Sequence, residues 1–193
     1  KNNFKYYRNS QRLGLAKSRN IGLHLSSGIY VAFMDDDCRW LPEKIHLQIK
    51  VAEQSKYKNL MVYCGTCKKL NESLVPDVVP NETGVMKKYI YRGSLLAQSS
   101  MLILRKNLIK LNGHSEDLVS CIDHDLWLKM ASKNFYMDLP KVGLVYYPEH
   151  NSPRMHKNLN ERMTGISQFI NKWKSLVILE SNKESWDIIE RKY

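Results

Sequence analysis

The sequence predicts an α/β fold, a mixed sheet flanked by helices, on three observations. An apolar run, Tyr30-Val31-Ala32-Phe33-Met34, ends abruptly in Asp35-Asp36-Asp37. Helical periodicity lies on both sides of that run. Further strand-like runs then alternate with helical ones along the 193 residues, the pattern expected when helices cover a sheet. A chain of this length can bury one sizeable core.

Leu15, Ile21 and Leu25 recur at helical spacing, and Gly28 stops this first helix. The apolar run follows as a strand over residues 30–34. Pro42 suits the first turn of the next helix, and Ile45, Leu47, Ile49 and Val51 give residues 44–55 an apolar side. Residues 60–67 read as a strand. Residues 71–84 are polar, contain Pro76 and Pro80, and read as a loop. Residues 87–91 and 100–105 read as strands around a turn at Arg92-Gly93-Ser94. Asp123 and Asp125 open a helix whose apolar residues are Leu126, Leu128 and Met130. Residues 141–147 read as a strand. Residues 160–180 form a helix with Met163, Ile166, Phe169, Ile170, Trp173 and Val177 on one side. Such a face packs on a core or rests on a membrane surface.

The three consecutive acids need an explanation. On a strand, Asp35 and Asp37 point to one side and Asp36 to the other. Like charges this close repel, and buried without a partner they are costly. A hard cation such as Mg²⁺ or Mn²⁺ removes the conflict, and Mg²⁺ commonly binds phosphates beside one or two carboxylates. Ligands also gather at the C-terminal ends of strands in open α/β sheets. The plainer alternative is an acidic first helical turn ahead of Trp40-Leu41-Pro42-Glu43.

Three segments in order settle on a resemblance. They are Gly14-Leu15-Ala16-Lys17-Ser18-Arg19-Asn20-Ile21-Gly22, then Ser27-Gly28-Ile29 running through the apolar strand to Asp37, then Trp40-Leu41-Pro42-Glu43-Lys44. Together they resemble the family-2 glycosyltransferases, whose pattern is G-x-A-x-x-R-N-x-G, A-x-G-x-Y-I-A-F-L-D-x-D-D and W-x-P-x-K. Downstream, Asn112-Gly113-His114-Ser115-Glu116 resembles the family's G-G-F-D-E turn, and Ile122-Asp123-His124-Asp125-Leu126-Trp127 its E-D-Y-D-L-W. Val145-Tyr146-Tyr147-Pro148-Glu149-His150 resembles V-Y-Y-R-x-H, with Pro148 in place of the arginine.

The resemblance implies a GT-A fold and an inverting, hexosyl-type transfer from a nucleotide-diphospho-sugar. It implies Mn²⁺ or Mg²⁺ held by Asp35 and Asp37 with His150, and a donor site that includes Arg19, Asp35, Asp36 and Gly113. Asp123 is then the general base, which takes the proton of an acceptor hydroxyl. The alternative for Asp123 and Asp125 is that they cap their helix. The implied acceptor is a glycan, a lipid-linked saccharide or a protein. The segment Ala97-Gln98-Ser99-Ser100-Met101 borders sugar and acceptor in the family; a plain buried strand is the other reading. Nothing before Gly14 resembles the opening strands of the family, so the expectation is an N-terminally truncated core over residues 1–158. Residues 159–193 are expected as a helical extension packed on it.

The net charge of +11 suits nucleic acid, an anionic membrane or an anionic small substrate. The basic residues are spread rather than blocked, and no nucleic-acid-binding signature is present, so nucleic acid is not the expected partner. A degraded, non-catalytic relative or a basic nucleic-acid module remains the alternative function. Cys64-Gly65-Thr66-Cys67 has no second pair at zinc spacing. The four sparse cysteines read as thiols in a reducing, cytoplasmic setting, with peripheral membrane attachment as an alternative. No apolar stretch reaches the length of a membrane span.

Overall fold

The computed structural model describes residues 4–91, 96–148 and 159–193. Helix α1 (Leu15–Leu25) leads to β1 (Tyr30–Val31), β2 (Arg39–Trp40), α2 (Lys44–Gln54), β3 (Leu60–Val62), β4 (Gly65–Leu70) and β5 (Ser73–Pro76). There follow β6 (Gly84–Val85), α3 (Met86–Ile90), a 3-10 turn (Gln98–Ser100), β7 (Leu102–Leu104) and α4 (Arg105–Lys110). The last elements are α5 (Ile122–Ser132), β8 (Tyr136–Asp138), β9 (Gly143–Tyr146), α6 (Leu159–Glu180) and α7 (Lys183–Glu190).

The strands form two mixed sheets rather than one, in the orders β1-β7-β3-β8-β6 and β2-β9-β4-β5. The link between them is a pair of bent strands. β3 runs parallel to β8 in the first sheet, and its continuation β4 runs parallel to β9 in the second. Backbone bonds from Tyr63 N to Asp138 O and from Gly65 N to Val142 O, each 3.0 Å, carry the pairing across the bend. Gly65 has no room for a side chain there, since a Cβ would lie 2.3 Å from Val78 O.

Several expectations need correction. Only Tyr30 and Val31 of the apolar run pair as a strand; the chain then turns at Asp36-Asp37. Alternation therefore does not decide where the acids point. Residues 71–84 are not all loop: Asn71 and Glu72, both at positive φ, turn β4 back on β5. Two central residues at positive φ are what a tight hairpin requires. Residues 87–90 are helix, not strand, and Tyr91 is its capping turn: α3 buries Met86 and Ile90 four residues apart. The strands β2 and β8 and helix α4 carry too few residues for a pattern to show.

The main core joins α5, α6 and α7 to the first sheet through Leu126, Trp127, Leu128, Met130, Phe169, Trp173, Val177, Trp186 and Ile189. One buried carboxylate fastens α6 to α5. Asp125 Oδ2 accepts from Ser115 Oγ at 2.6 Å, and Oδ1 accepts from Trp173 Nε1 at 2.9 Å. Lys172 Nζ lies 2.7 Å from Oδ1 and Lys129 Nζ 3.6 Å from Oδ2. Neither Asp123 nor Asp125 caps the helix. Cys121, in the left-handed region, is the capping position and gives no side-chain bond.

Two histidines are buried as neutral rings. His114 is 1% exposed and neither ring nitrogen has a partner. Burial, with Arg19 and Lys129 nearby, pushes it down to about 3. His124 meets the Tyr193 hydroxyl through Nδ1 and stacks on Phe169, while Nε2 has no partner. Burial pushes it down to about 4.

Two predictions concern stability. Asp125→Ala leaves Lys172 and Trp173 without their buried acceptor, so denaturant unfolding should show a loss of ~3–5 kcal/mol. A loss below about 1 kcal/mol would mean the cluster behaves as a screened surface pair. The histidines set an acid limit. Their folded pKa values are depressed, so stability is full above the unfolded value of about 6.5 and falls as pH drops toward about 4. Two protons taken up only by the unfolded chain give a slope approaching ~2.7 kcal/mol per pH unit. His114→Phe removes an unpartnered ring beside Phe33, so it should raise stability at pH 5 and roughly halve that slope. An unchanged slope would show that His114 titrates alike in both states.

Candidate active site

Helix α1 presents an unexpected face to the protein. Its buried residues are Ala16, Arg19, Asn20 and Leu23, while Leu15 and Leu25 of the expected apolar face are exposed. The spacing is still helical, but the inward side is polar. Arg19 is the reason that such a face is stable. Its side chain is 8% exposed, and it donates from Nη2 to Asp35 Oδ1 and from Nη1 to Asp123 Oδ1, both at 2.6 Å. A planar guanidinium has donors enough to hold two carboxylates at once. Arg19 therefore joins Asp35 to Asp123, two carboxylates from remote parts of the chain, the second 104 residues away in sequence.

Asp35 closes the extended stretch after β1. Its carboxylate is also read by Ser99: the Ser99 hydroxyl donates to Oδ2 at 2.7 Å, and the Asp35 backbone N–H donates to the same hydroxyl oxygen at 3.0 Å. Cys38 N–H and Sγ both reach Asp35 O at 3.3 Å, which folds the acids into a turn. Asp36 is exposed at the tip of that turn, and Asp37 is half-buried. His150 lies outside the described residues.

Asp123 stands in the first turn of α5, 200° around the helix from the inward Asp125 by the helical period. Its side chain keeps 40% of its accessibility, with Oδ1 against the buried guanidinium of Arg19. Burial raises its carboxyl above the usual range, Arg19 opposes that rise, and Asp35 adds to it. Trp127 Nε1, one turn along α5, donates to Leu96 O at 3.2 Å, which ties the helix to the segment leading into the 3-10 turn.

Asn20 joins α1 to the residues before α5. Its Nδ2 donates to His114 O and Glu116 Oε1, each at 2.9 Å, and its Oδ1 accepts from His114 N at 2.8 Å. Gly113 has φ 56°, and a Cβ there would lie 2.3 Å from Asn20 Oδ1. Packing against Asn20 thus accounts for the glycine. Arg19 and Asn20 divide the work: one gathers carboxylates, the other holds the backbone that leads to Asp123.

Three residues that lay within the quoted segments without an individual role gain one in the structure. Ser99 contacts Asp35 directly. Tyr147, just after β9, lies beside Ser99, Asp35 and Asp37; burial and those carboxylates push its phenol up to about 12. Lys44 is fully buried, and among the described residues it has no carboxylate partner. It donates to Gln48 Oε1 at 2.6 Å and lies 4.3 Å from the centre of the Trp40 ring. Burial pushes this amine down to about 8. A fully buried lysine is rare enough that its place in W-x-P-x-K was the available signal.

Among the described residues, no three His, Cys, Asp or Glu side chains converge to hold a metal. The four cysteines are free thiols. No helix of the described residues is long and apolar enough to cross a membrane.

Residues 1–101 match the family described as Glycosyl transferase family 2, a stretch that includes Arg19, the three acids and Ser99 and reaches back ahead of Gly14. An uncharacterized glycosyltransferase of Methanocaldococcus jannaschii is 26% identical over 144 residues, 74% of this chain and 49% of that protein. One from Haemophilus influenzae is 30% identical over 128 residues, 65% of this chain and 44% of its own. The chain thus spans about half the length of the curated relatives it matches. Among solved structures, residues 1–349 of Staphylococcus aureus TarS in complex with UDP-GlcNAc superpose with TM-score 0.58 at 17% identity, over 82% of this chain and 47% of that 1–349 chain. That likeness is one of fold, the GT-A fold. With half of its residues matched and its motifs assembled at one site, the chain belongs to glycosyl transferase family 2.

Proposed function

We propose that this chain carries the catalytic site of an inverting, metal-dependent transferase. It moves a hexosyl-type sugar from a nucleotide-diphospho-sugar to a hydroxyl of a glycan, a lipid-linked saccharide or a protein. The observation that carries the reading is Arg19, which holds Asp35 of the acidic turn and Asp123 at one point. The TarS structures with UDP-GlcNAc and with UDP support a nucleotide-sugar as donor.

The donor chemistry of Asp35 and Asp37 fits a hard cation. Arg19 and Ser99 each occupy one oxygen of Asp35, and a carboxylate retains further lone pairs. A bound Mn²⁺ or Mg²⁺ would supply positive charge to the diphosphate, and water and phosphate oxygens complete such a shell. Asp123 does the proton chemistry. Arg19 occupies Oδ1 and leaves Oδ2 to accept the acceptor's hydroxyl proton. The O–H bond breaks as that oxygen forms its bond to the anomeric carbon. The carbon–diphosphate bond breaks on the opposite face, and configuration inverts. Burial suits Asp123 to the task, because a carboxylate with a raised pKa is a stronger base. Helix α6 braces α5 from behind through Asp125.

Asp123→Asn in the full-length protein should leave donor binding unchanged and reduce transfer ~10²–10⁴-fold, the usual contribution of a general base. Initial rates and titration calorimetry with a panel of nucleotide-sugars and Mn²⁺ measure both. Equal losses of donor affinity and rate would contradict the assignment, as would full turnover in a chelator.

A further inference from the structure

Behind the carboxylates lies a buried polar relay with no part in the mechanism above. It begins at Lys44, whose Nζ has only donors to offer. Lys44 therefore faces Gln48 Oε1, which fixes the orientation of the Gln48 amide. The Nε2 end then donates to Ser100 O at 2.7 Å and to Val62 O at 3.0 Å. The adjacent carbonyl, Ser99 O, accepts from Trp40 Nε1 at 3.0 Å, and the Trp40 ring lies against Lys44. Two consecutive carbonyls of the 3-10 turn are thus clamped from α2 and β2. Ser99 is itself wholly buried. Its hydroxyl engages Asp35 twice, once through the backbone N–H and once through Oδ2. Arg19 holds the other oxygen.

We propose that Ser99 is the positioning residue for Asp35. It fixes the carboxylate so that the remaining lone pairs face the cation and diphosphate, and Trp40, Lys44 and Gln48 hold Ser99 in place. A carboxylate gripped by Arg19 alone would pivot about that one bond. Removing a partner that orients a ligand typically costs 10–100-fold in metal affinity. The proposal rests on the reading of Asp35 as the residue that receives the donor's cation and diphosphate.

The test compares full-length Ser99→Ala, Trp40→Phe and Asp35→Ala by titrating Mn²⁺ in the presence of UDP. Melting curves and the crystal structure of Ser99→Ala are taken alongside. Asp35→Ala should abolish cation-dependent UDP binding. Ser99→Ala should weaken it about 10–100-fold, with the melting temperature nearly unchanged and the Asp35 carboxylate displaced. Trp40→Phe keeps the ring on Lys44 and loses the Nε1 donor, so it should weaken binding in the same direction by less. If Asp35→Ala binds as wild type does, or wild type binds no Mn²⁺ with UDP, the reading of Asp35 fails and the proposal with it. If Asp35→Ala loses binding while Ser99→Ala retains it, or Asp35 stays in place without the hydroxyl, the proposal alone is overturned.

Discussion

The site depends on one buried cation shared between two carboxylates. Arg19 has almost no contact with water, and each of its bonds to Asp35 and Asp123 is 2.6 Å long. A guanidinium out of water needs compensation, and removing one partner of a buried pair is more destabilising than never having had it. The two acids come from remote parts of the chain, one after β1 and one at the start of α5. Their convergence on Arg19 brings the acidic turn and the start of α5 together.

The rest of the architecture keeps that junction in register. Asn20, one residue along α1, bonds both sides of the His114 peptide and so sets the path into α5. Gly113 is what lets the backbone come that close. Asp125 faces the opposite way from Asp123 and fastens α5 to α6 through Trp173 and Lys172. Ser99 does for the acidic turn what Asn20 does for the segment leading to Asp123. Arg19, Asn20, Ser99 and Asp125 each reach partners outside their own element. Hydrogen bonds so distributed give a site its shape even where their net contribution to stability is small.

The family motifs made the site largely legible in the sequence. Arg19, Asp35 and Asp123 were named from spacing and resemblance, and the structure brings those three together. The inward face of α1 was not legible. Hydrophobic periodicity chose Leu15 and Leu25, which are exposed, because the face that is buried carries Arg19 and Asn20. The same inversion occurs in α2, where Lys44 and Gln48 are buried and Ile45, Leu47 and Ile49 are only partly so. Pattern reading assumes that apolar means inside, and it fails where a protein buries paired polar groups for a site. Short elements were lost for another reason. Strands of two or three residues such as β2 and β8 are made by their neighbours in the sheet, not by their own composition.

The most direct measurement is the titration of the Asp123 side-chain carboxyl carbon by NMR, in the wild-type protein and in Arg19→Gln, without any substrate. The account predicts a midpoint above the ordinary carboxylate range in wild type, because burial outweighs the guanidinium. It predicts a still higher midpoint in the variant, where burial acts unopposed. A midpoint at or below the ordinary range, or one that Arg19→Gln leaves unmoved, would contradict the claim that Arg19 and burial together set the base.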